Sequence, residues 1–313
     1  MTQHQPAATH APSGSPAGPL VSVLTPSYNQ ARWLGDNLHS VACQTYPHLE
    51  HVVMDGGSTD GSVDLLRRHA GPHVRWHSGP DAGQTHALRA AFEASRGEVI
   101  GWLNSDDAYF DAGAVAAAVR LLDRHPEVDV VYGHAALVNG AGLILQVLWA
   151  PPFSRRLLRL HNLISQPAAF IRRRALDGGF LDPAFDYAMD RELWLRLAPR
   201  ARFARLDRIL AIDRHHPGRK AYTRRDLERA DTARLVRTYG VPAGPGATAA
   251  RKVLKVAFRL AGLRLLPEAR RPPAFRGGCD SLAQLALRQI AVPRAAMPDG
   301  PAPRAGTEVP APP

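Results

Sequence analysis

From Leu20 onward, short apolar runs alternate with stretches of helical period. LVSVLTP (20–26) reads as a buried strand, residues 30–42 as a helix, LEHVVMD (49–55) as a second strand and SVDLLRRHA (62–70) as a second helix. HVRWHS (73–78) follows as a short strand, residues 83–95 as a helix, and EVIGWLN (98–104) as a fourth strand. Strands alternating with helices predict a mostly parallel sheet, and therefore an α/β fold. A further helix is expected near 112–124, then strands at DVVYGHAAL and LILQVLWA, and a mixed region up to about residue 220. Residues 224–238, 248–266 and 279–291 have helical character. No internal repeat is visible.

Composition narrows the picture without redrawing it. At 313 residues and 45% hydrophobic, the chain can bury one large domain, with or without an appendage. Residues 1–19 are rich in Pro, Ala, Ser and Gly and are expected to form a disordered tail; the Pro-rich end from 293 is expected to do the same. There is neither a signal-peptide pattern nor a run of about 18 apolar residues, so the expectation is a soluble protein. Cys43 and Cys279 are too few and too far apart to suggest a disulfide framework or a zinc site, and a reducing cytosol fits them.

The net charge of +11 is uneven: from residue 241 onward there are eleven Arg or Lys against four Asp or Glu. An anionic partner surface is implied for that stretch. No nucleic-acid motif or interleaved aromatic pattern accompanies the charge, so no nucleic acid is expected and membrane phosphate groups suit it better. Within it, RKVLKVAFRLAGLRLL (251–266) is a basic amphipathic segment. Two arrangements are open to it: apolar side packed on the domain with charges in water, or contact with an anionic bilayer.

Candidate chemistry gathers at predicted strand ends, where ligands bind in open α/β sheets. The first strand runs into Pro26-Ser27-Tyr28-Asn29-Gln30 instead of a G-x-G-x-x-G turn, which argues against a dinucleotide oxidoreductase. The second ends in Asp55-Gly56-Gly57-Ser58-Thr59-Asp60: two glycines allow a tight turn, Asp60 reads as a cap, and Asp55 as a hydrogen-bonding ligand. The fourth ends in Asn104-Ser105-Asp106-Asp107, and two adjacent acids exceed what helix capping needs.

On these residues the chain resembles the family 2 glycosyltransferases, inverting enzymes of the GT-A fold, over about residues 20–222. The matching segments are PSYNQ, DGGSTDGS, DAGQTHAL, WLNSDD, SQPAAF, YAMDRELWLRL and RHHPGRK, in the family's order. The resemblance implies a Rossmann-like, mostly parallel sheet flanked by helices, followed by a helical basic extension (223–292) and the tail 293–313. It places Pro26, Tyr28 and Asp55 around a nucleoside and Asp81 near the nucleoside or sugar. Tyr28 could equally be a packing aromatic, and Asp81 an N-cap. Asp106 would face the ribose and Asp107 an Mg2+ or Mn2+ ion bridging the diphosphate, as suits hard oxygen ligands.

By the same resemblance Asp190 is the general base, with Met189 where the family has Glu. Glu192 is expected to be a surface charge paired with Arg196. In the Arg214–Lys220 loop, His216 would reach the metal or the diphosphate and Lys220 would balance charge, although Arg219 and Ala221 replace the family's usual Ser and Thr. Gln166-Pro167 would form part of a wall; Arg172-Arg173-Arg174 reads as a solvated turn, and Arg89 has no assigned role. The partners implied are a nucleotide-sugar donor and a glycan or lipid-linked acceptor, and an anionic membrane surface is possible. The expected place is the cytoplasm, at most peripheral to the inner face of the membrane. The alternatives are a non-catalytic nucleotide-sugar-binding protein and a sugar nucleotidyltransferase, whose Gly-rich, Arg-containing loop PSYNQ is not.

Overall fold

The computed structural model describes residues 18–269. The expected helix 279–291 and most of both tails lie outside them. In chain order the elements are β1 (Val21–Ser27), α1 (Ala31–Ala42), β2 (Leu49–Asp55), α2 (Ser62–His69), β3 (Val74–Ser78), α3 (Gln84–Ala94) and β4 (Val99–Trp102). Next come β5 (Ala108–Tyr109), α4 (Ala114–Arg124), β6 (Val130–Asn139), β7 (Ile144–Leu148), α5 (Arg155–Leu160), β8 (Ala169–Arg172), α6 (Met189–Leu197) and β9 (Phe203–His215). The last four are α7 (Lys220–Thr223), α8 (Arg225–Tyr239), α9 (Pro245–Leu263) and α10 (Leu266–Ala269).

One sheet, with the path β3-β2-β1-β4-β8-β6-β9-β5 and β7 paired to β6, organises the described residues. β1 to β4 are wholly parallel, and the two longest ladders, β1 with β2 and β6 with β9, are parallel as well. β8 runs antiparallel between β4 and β6, and joins the two halves. All seven residues of β1 are buried, as a strand covered on both faces requires. One core packs α3, α5, α6 and α8 residues on one face (Leu88, Leu158, Trp194, Leu235); another packs α1 and α4 on the other (Val41, Val115, Val119).

The period-based expectation captures β1 to β4, β6, β7 and α1 to α4 nearly to the residue. It left β8 and β9 inside the mixed region and gave no element at β5. β5 and β8 have only two and four residues, too short for alternation to register. β9 mixes charged and apolar residues because much of it is only partly buried.

Two local readings are corrected. Arg172, Arg173 and Arg174 are not a solvated turn: Arg172 donates to the Val128 and Leu122 carbonyls, Arg173 to Gly97 and Ser95, and Arg174 to Asp129 and Pro126. Their guanidiniums satisfy carbonyls just ahead of β4 and between the end of α4 and β6. Glu192 is paired with Arg196 (2.8 Å) but is fully buried, taking a second hydrogen bond from the Tyr239 hydroxyl of α8.

Candidate functional site

The carboxyl ends of β1, β2 and β4 open onto a cleft of about 1370 Å3. Pro26, Tyr28, Asp81, Asp106, Asp107, Asp190 and Lys220 all line it, as do Gln166 and Pro167, so residues spread over nearly 200 positions converge on one space. Asp55 and His216 do not line it.

The side of the cleft next to β1 and β2 is built by a turn locked to another turn. Gly57 has φ +82°, a conformation that favours glycine, and it lets the chain curl back over Asp55. The Asp55 carboxylate is consumed by that curl: it accepts from the Gly57 and Ser58 amides and from the Ser58 and Ser78 hydroxyls, and it is 2% exposed. Asp60 bridges the starts of α1 and α2 through the Ala31 and Ser62 amides. Tyr28 is left standing free, 63% exposed at the cleft rim. Asp81 accepts from the Gly83 amide at the head of α3 and lies so close to Gly56 that a Cβ there would meet its carboxylate at 3.1 Å.

The acidic loop after β4 is held by residues distant in sequence. Asn104 is saturated: its side-chain oxygen accepts from Trp102 and Gln84, and its amide donates to Gln166 and Asp107. Asp107 is buried and accepts from the Arg214 amide at 3.1 Å. Its proton affinity is raised well above the ordinary range by burial first, then by the neighbouring charges of Asp106 and Asp213. Asp213, on β9, is raised chiefly by burial too, and is bridged at 2.8 Å by Arg219. Arg219 is held protonated against burial by Asp213, Asp107 and Asp106 together. Arg214 ties this group to α1, reaching Asp36 at 2.8 Å and the Asp106 carbonyl. His216 contacts Asp106 at 3.1 Å and packs on Trp33.

Asp190, also lining the cleft, sits in the first turn of α6. Asn162 donates to one carboxylate oxygen and the Arg191 amide to the other, both at 2.7 Å. Burial raises its proton affinity despite those two hydrogen bonds. The segment entering α6 is pinned by Asp231 of α8, one of whose oxygens accepts from the Asp186, Tyr187 and Ala188 amides at 2.7–3.0 Å. Lys220 is engaged with Asp186 at 2.6 Å. His161, beside Asn162 in the cleft wall, is driven to about 4 by burial and by Lys255, Arg191 and Arg251, and is therefore neutral at pH 7.

Sequence reasoning did not single out Asn162, His161, Asp213 or Asp231. None of them belongs to a recognisable motif; Asn162 and Asp231, for example, acquire their places through partners 28 to 45 residues away. Arg89 points away from the chemistry, its guanidinium donating to the Leu181 carbonyl.

A divalent ion is tested against this geometry. Among the described residues no three His, Cys, Asp or Glu side chains are arranged to hold one. The buried Asp107 carboxyl in the field of two further acids does fit an ion that takes most of its ligands from a diphosphate and water, as Mg2+ commonly does.

Comparison with known proteins bears on the same residues. The model of the family described as "Glycosyl transferase family 2" matches residues 22–180. Chondroitin synthase of Pasteurella multocida is 32% identical over 195 residues, 61% of this chain but 20% of that protein. The teichuronic acid biosynthesis glycosyltransferase TuaG of Bacillus subtilis, a putative assignment by its own name, is 39% identical over 92 residues, 28% of this chain and 36% of that one. The chain thus spans about a fifth to a third of these relatives. Among solved structures, Staphylococcus aureus TarS 1–349 in complex with UDP-GlcNAc matches with a TM-score of 0.58 at 20% identity, over 72% of this chain and 68% of that one. The Pyrobaculum calidifontis mannosyltransferase PcManGT, in complex with GDP-Man and Mn2+, matches with a TM-score of 0.53 at 21% identity, over 90% and 76%. At such identities the likeness is one of fold, and that fold is the expected GT-A architecture.

Proposed function

The chain belongs to glycosyl transferase family 2, and from that premise we propose that it transfers a sugar, with inversion, from a nucleotide donor to a hydroxyl of a surface glycan or lipid-linked acceptor, acting in the cytoplasm. One observation carries the reading: Asp190 lines the same cleft as Tyr28, Asp81, Asp106, Asp107 and Lys220. A base and a polyanion site within one cleft are what displacement at a sugar carbon needs.

In this reading the donor's base and ribose lie between Tyr28, Pro26, Asp81 and Asp106, on the turn that Asp55 holds shut. Asp55 acts on the nucleoside through that turn, since its own oxygens are occupied. The diphosphate lies toward Lys220 and Arg219, which line the cleft with Arg224, Lys255 and Arg259. Asp107 would hold Mg2+ or Mn2+, which when bound would neutralise the leaving diphosphate; His216 would join it only by giving up Asp106.

Asp190 then takes the proton of the acceptor hydroxyl as its oxygen forms the new bond to the sugar carbon and the bond to the diphosphate breaks on the other face. Asn162 and the Arg191 amide fix the carboxylate for that single line of approach. Burial keeps its basicity above that of a free aspartate.

The test offers UDP-, GDP- and TDP-sugars with Mn2+ and lipid-linked acceptors to the protein and to Asp190→Asn. The expected result is retained donor binding with transfer slower by about two orders of magnitude or more. Transfer at the parent rate would remove Asp190 from the chemistry. A parent protein that binds donors yet turns over none would instead favour the non-catalytic nucleotide-sugar-binding alternative.

A further inference from the structure

α9 is docked with its apolar strip outward. Arg251, Leu254, Phe258 and Gly262 face the body of the protein: Arg251 donates to the Leu160 and Pro242 carbonyls, and Phe258 lies 5.7 Å from the Trp149 ring. A side chain at Gly262 would collide with the Val147 carbonyl of β7. On the opposite side Val253, Val256, Leu260 and Leu263 are 69%, 59%, 60% and 51% exposed. Their spacing of i, i+3, i+7, i+10 makes one continuous strip. They are four of the seven large hydrophobic side chains exposed among the described residues, and two others, Leu143 and Leu145, lie at the start of β7, the strand α9 packs on. Of the two arrangements open to this segment, the one with this apolar side inward is not found: the strip faces outward, and Lys252, Lys255, Arg259 and Arg264 are exposed beside it.

The margins of the strip are basic. Lys252, Lys255 and Arg259 border it on the side nearer the cleft and Arg264 on the other, and no acidic residue occurs between Val241 and Pro267. Lys255, Val256 and Arg259 also line the cleft, so the strip begins at its mouth.

We propose that α9 is a docking surface for an anionic phospholipid bilayer, its apolar strip entering the acyl boundary and its basic margins meeting the headgroups. Both chemistries are then satisfied by one partner. A second copy of the chain would set the same basic margins against each other. Residues 270–313 carry six arginines against three acids, and would meet the same repulsion. The surface binds whether or not transfer occurs; only its use, bringing a lipid-linked hydroxyl to the cleft mouth, rests on the function proposed above.

The experiment is co-sedimentation of the full chain, without donor, with vesicles of phosphatidylcholine alone or mixed with phosphatidylglycerol. Binding to the mixed vesicles at low salt, weakened as salt rises, is expected. Val253→Asp and Leu260→Asp should each weaken it about tenfold or more while leaving donor turnover intact, which also shows that the variants fold. Lys252→Glu with Arg264→Glu should weaken it by about fivefold per charge removed. Failure to bind mixed vesicles at low salt, equal binding to neutral and anionic vesicles, or binding untouched by either pair of substitutions would overturn the proposal. Because the readout needs no sugar donor, an absence of transferase activity leaves it standing, and transfer without vesicle binding refutes it alone.

Discussion

Asp190 carries a carboxyl that burial makes harder to ionise. A base works only when deprotonated, so transfer should be lost as pH falls through the folded-state value, and that value lies above the ordinary aspartate range of about 4. A profile of kcat/KM against pH should show an acidic limb displaced upward, with a slope of about one. An acidic limb at about 4 would mean that the carboxyl is well hydrated in solution or that another group limits the rate. Asp107 and Asp213 are shifted in the same direction by the same cause, with mutual repulsion added in both cases through Asp106. Arg219 relieves part of that repulsion. This chain thus carries a fixed cation among its acids, which bears on how much work remains for a divalent ion.

At the scale of elements, α6 is aimed by α8. The three amides leading into α6 converge on one oxygen of Asp231, which is 4% exposed. Asp231→Ala strands those donors in a part-buried place, at a cost of about 2 kcal/mol, or roughly 4–8 °C in Tm for a domain of this size. Asp231→Asn keeps an acceptor and should recover about half of the loss. Both variants should keep donor affinity while slowing transfer, because Asp190 moves and the nucleoside wall does not. Equal losses of donor binding and transfer in thermal and kinetic assays would mean that Asp231 supports the whole cleft and not α6 in particular. The other end of the same logic is α3, whose Thr85 hydroxyl donates to the Phe185 carbonyl and ties α3 to the segment that bears Asp190.

At the scale of the whole molecule, the two walls of the cleft come from opposite ends of the chain, and donor with metal should therefore stabilise the protein as a unit. At a hundredfold excess over Kd the gain is about 2.7 kcal/mol, or roughly 5–10 °C in Tm. Chelator, or Asp107→Ala, should abolish most of that shift in a thermal melt; a full shift without the ion would detach Asp107 from metal binding. Periodicity alone determined the order of the parallel strands and their helices, since a strand buried on both faces or a helix buried on one writes its pattern locally. The acids after β4 and the turn after β2 were legible for the same reason: strand ends in such a sheet face ligands. What the tertiary structure decided was partnership. It turned the Asp55 carboxylate into its own loop, set Arg219 between Asp213 and Asp107, gave Asp231 to the head of α6, and seated α9 with Val253, Val256, Leu260 and Leu263 outward. Each of those outcomes depends on which distant groups meet in space, and a hydrogen-bond partner or a docked helix face leaves no period in the sequence that carries it.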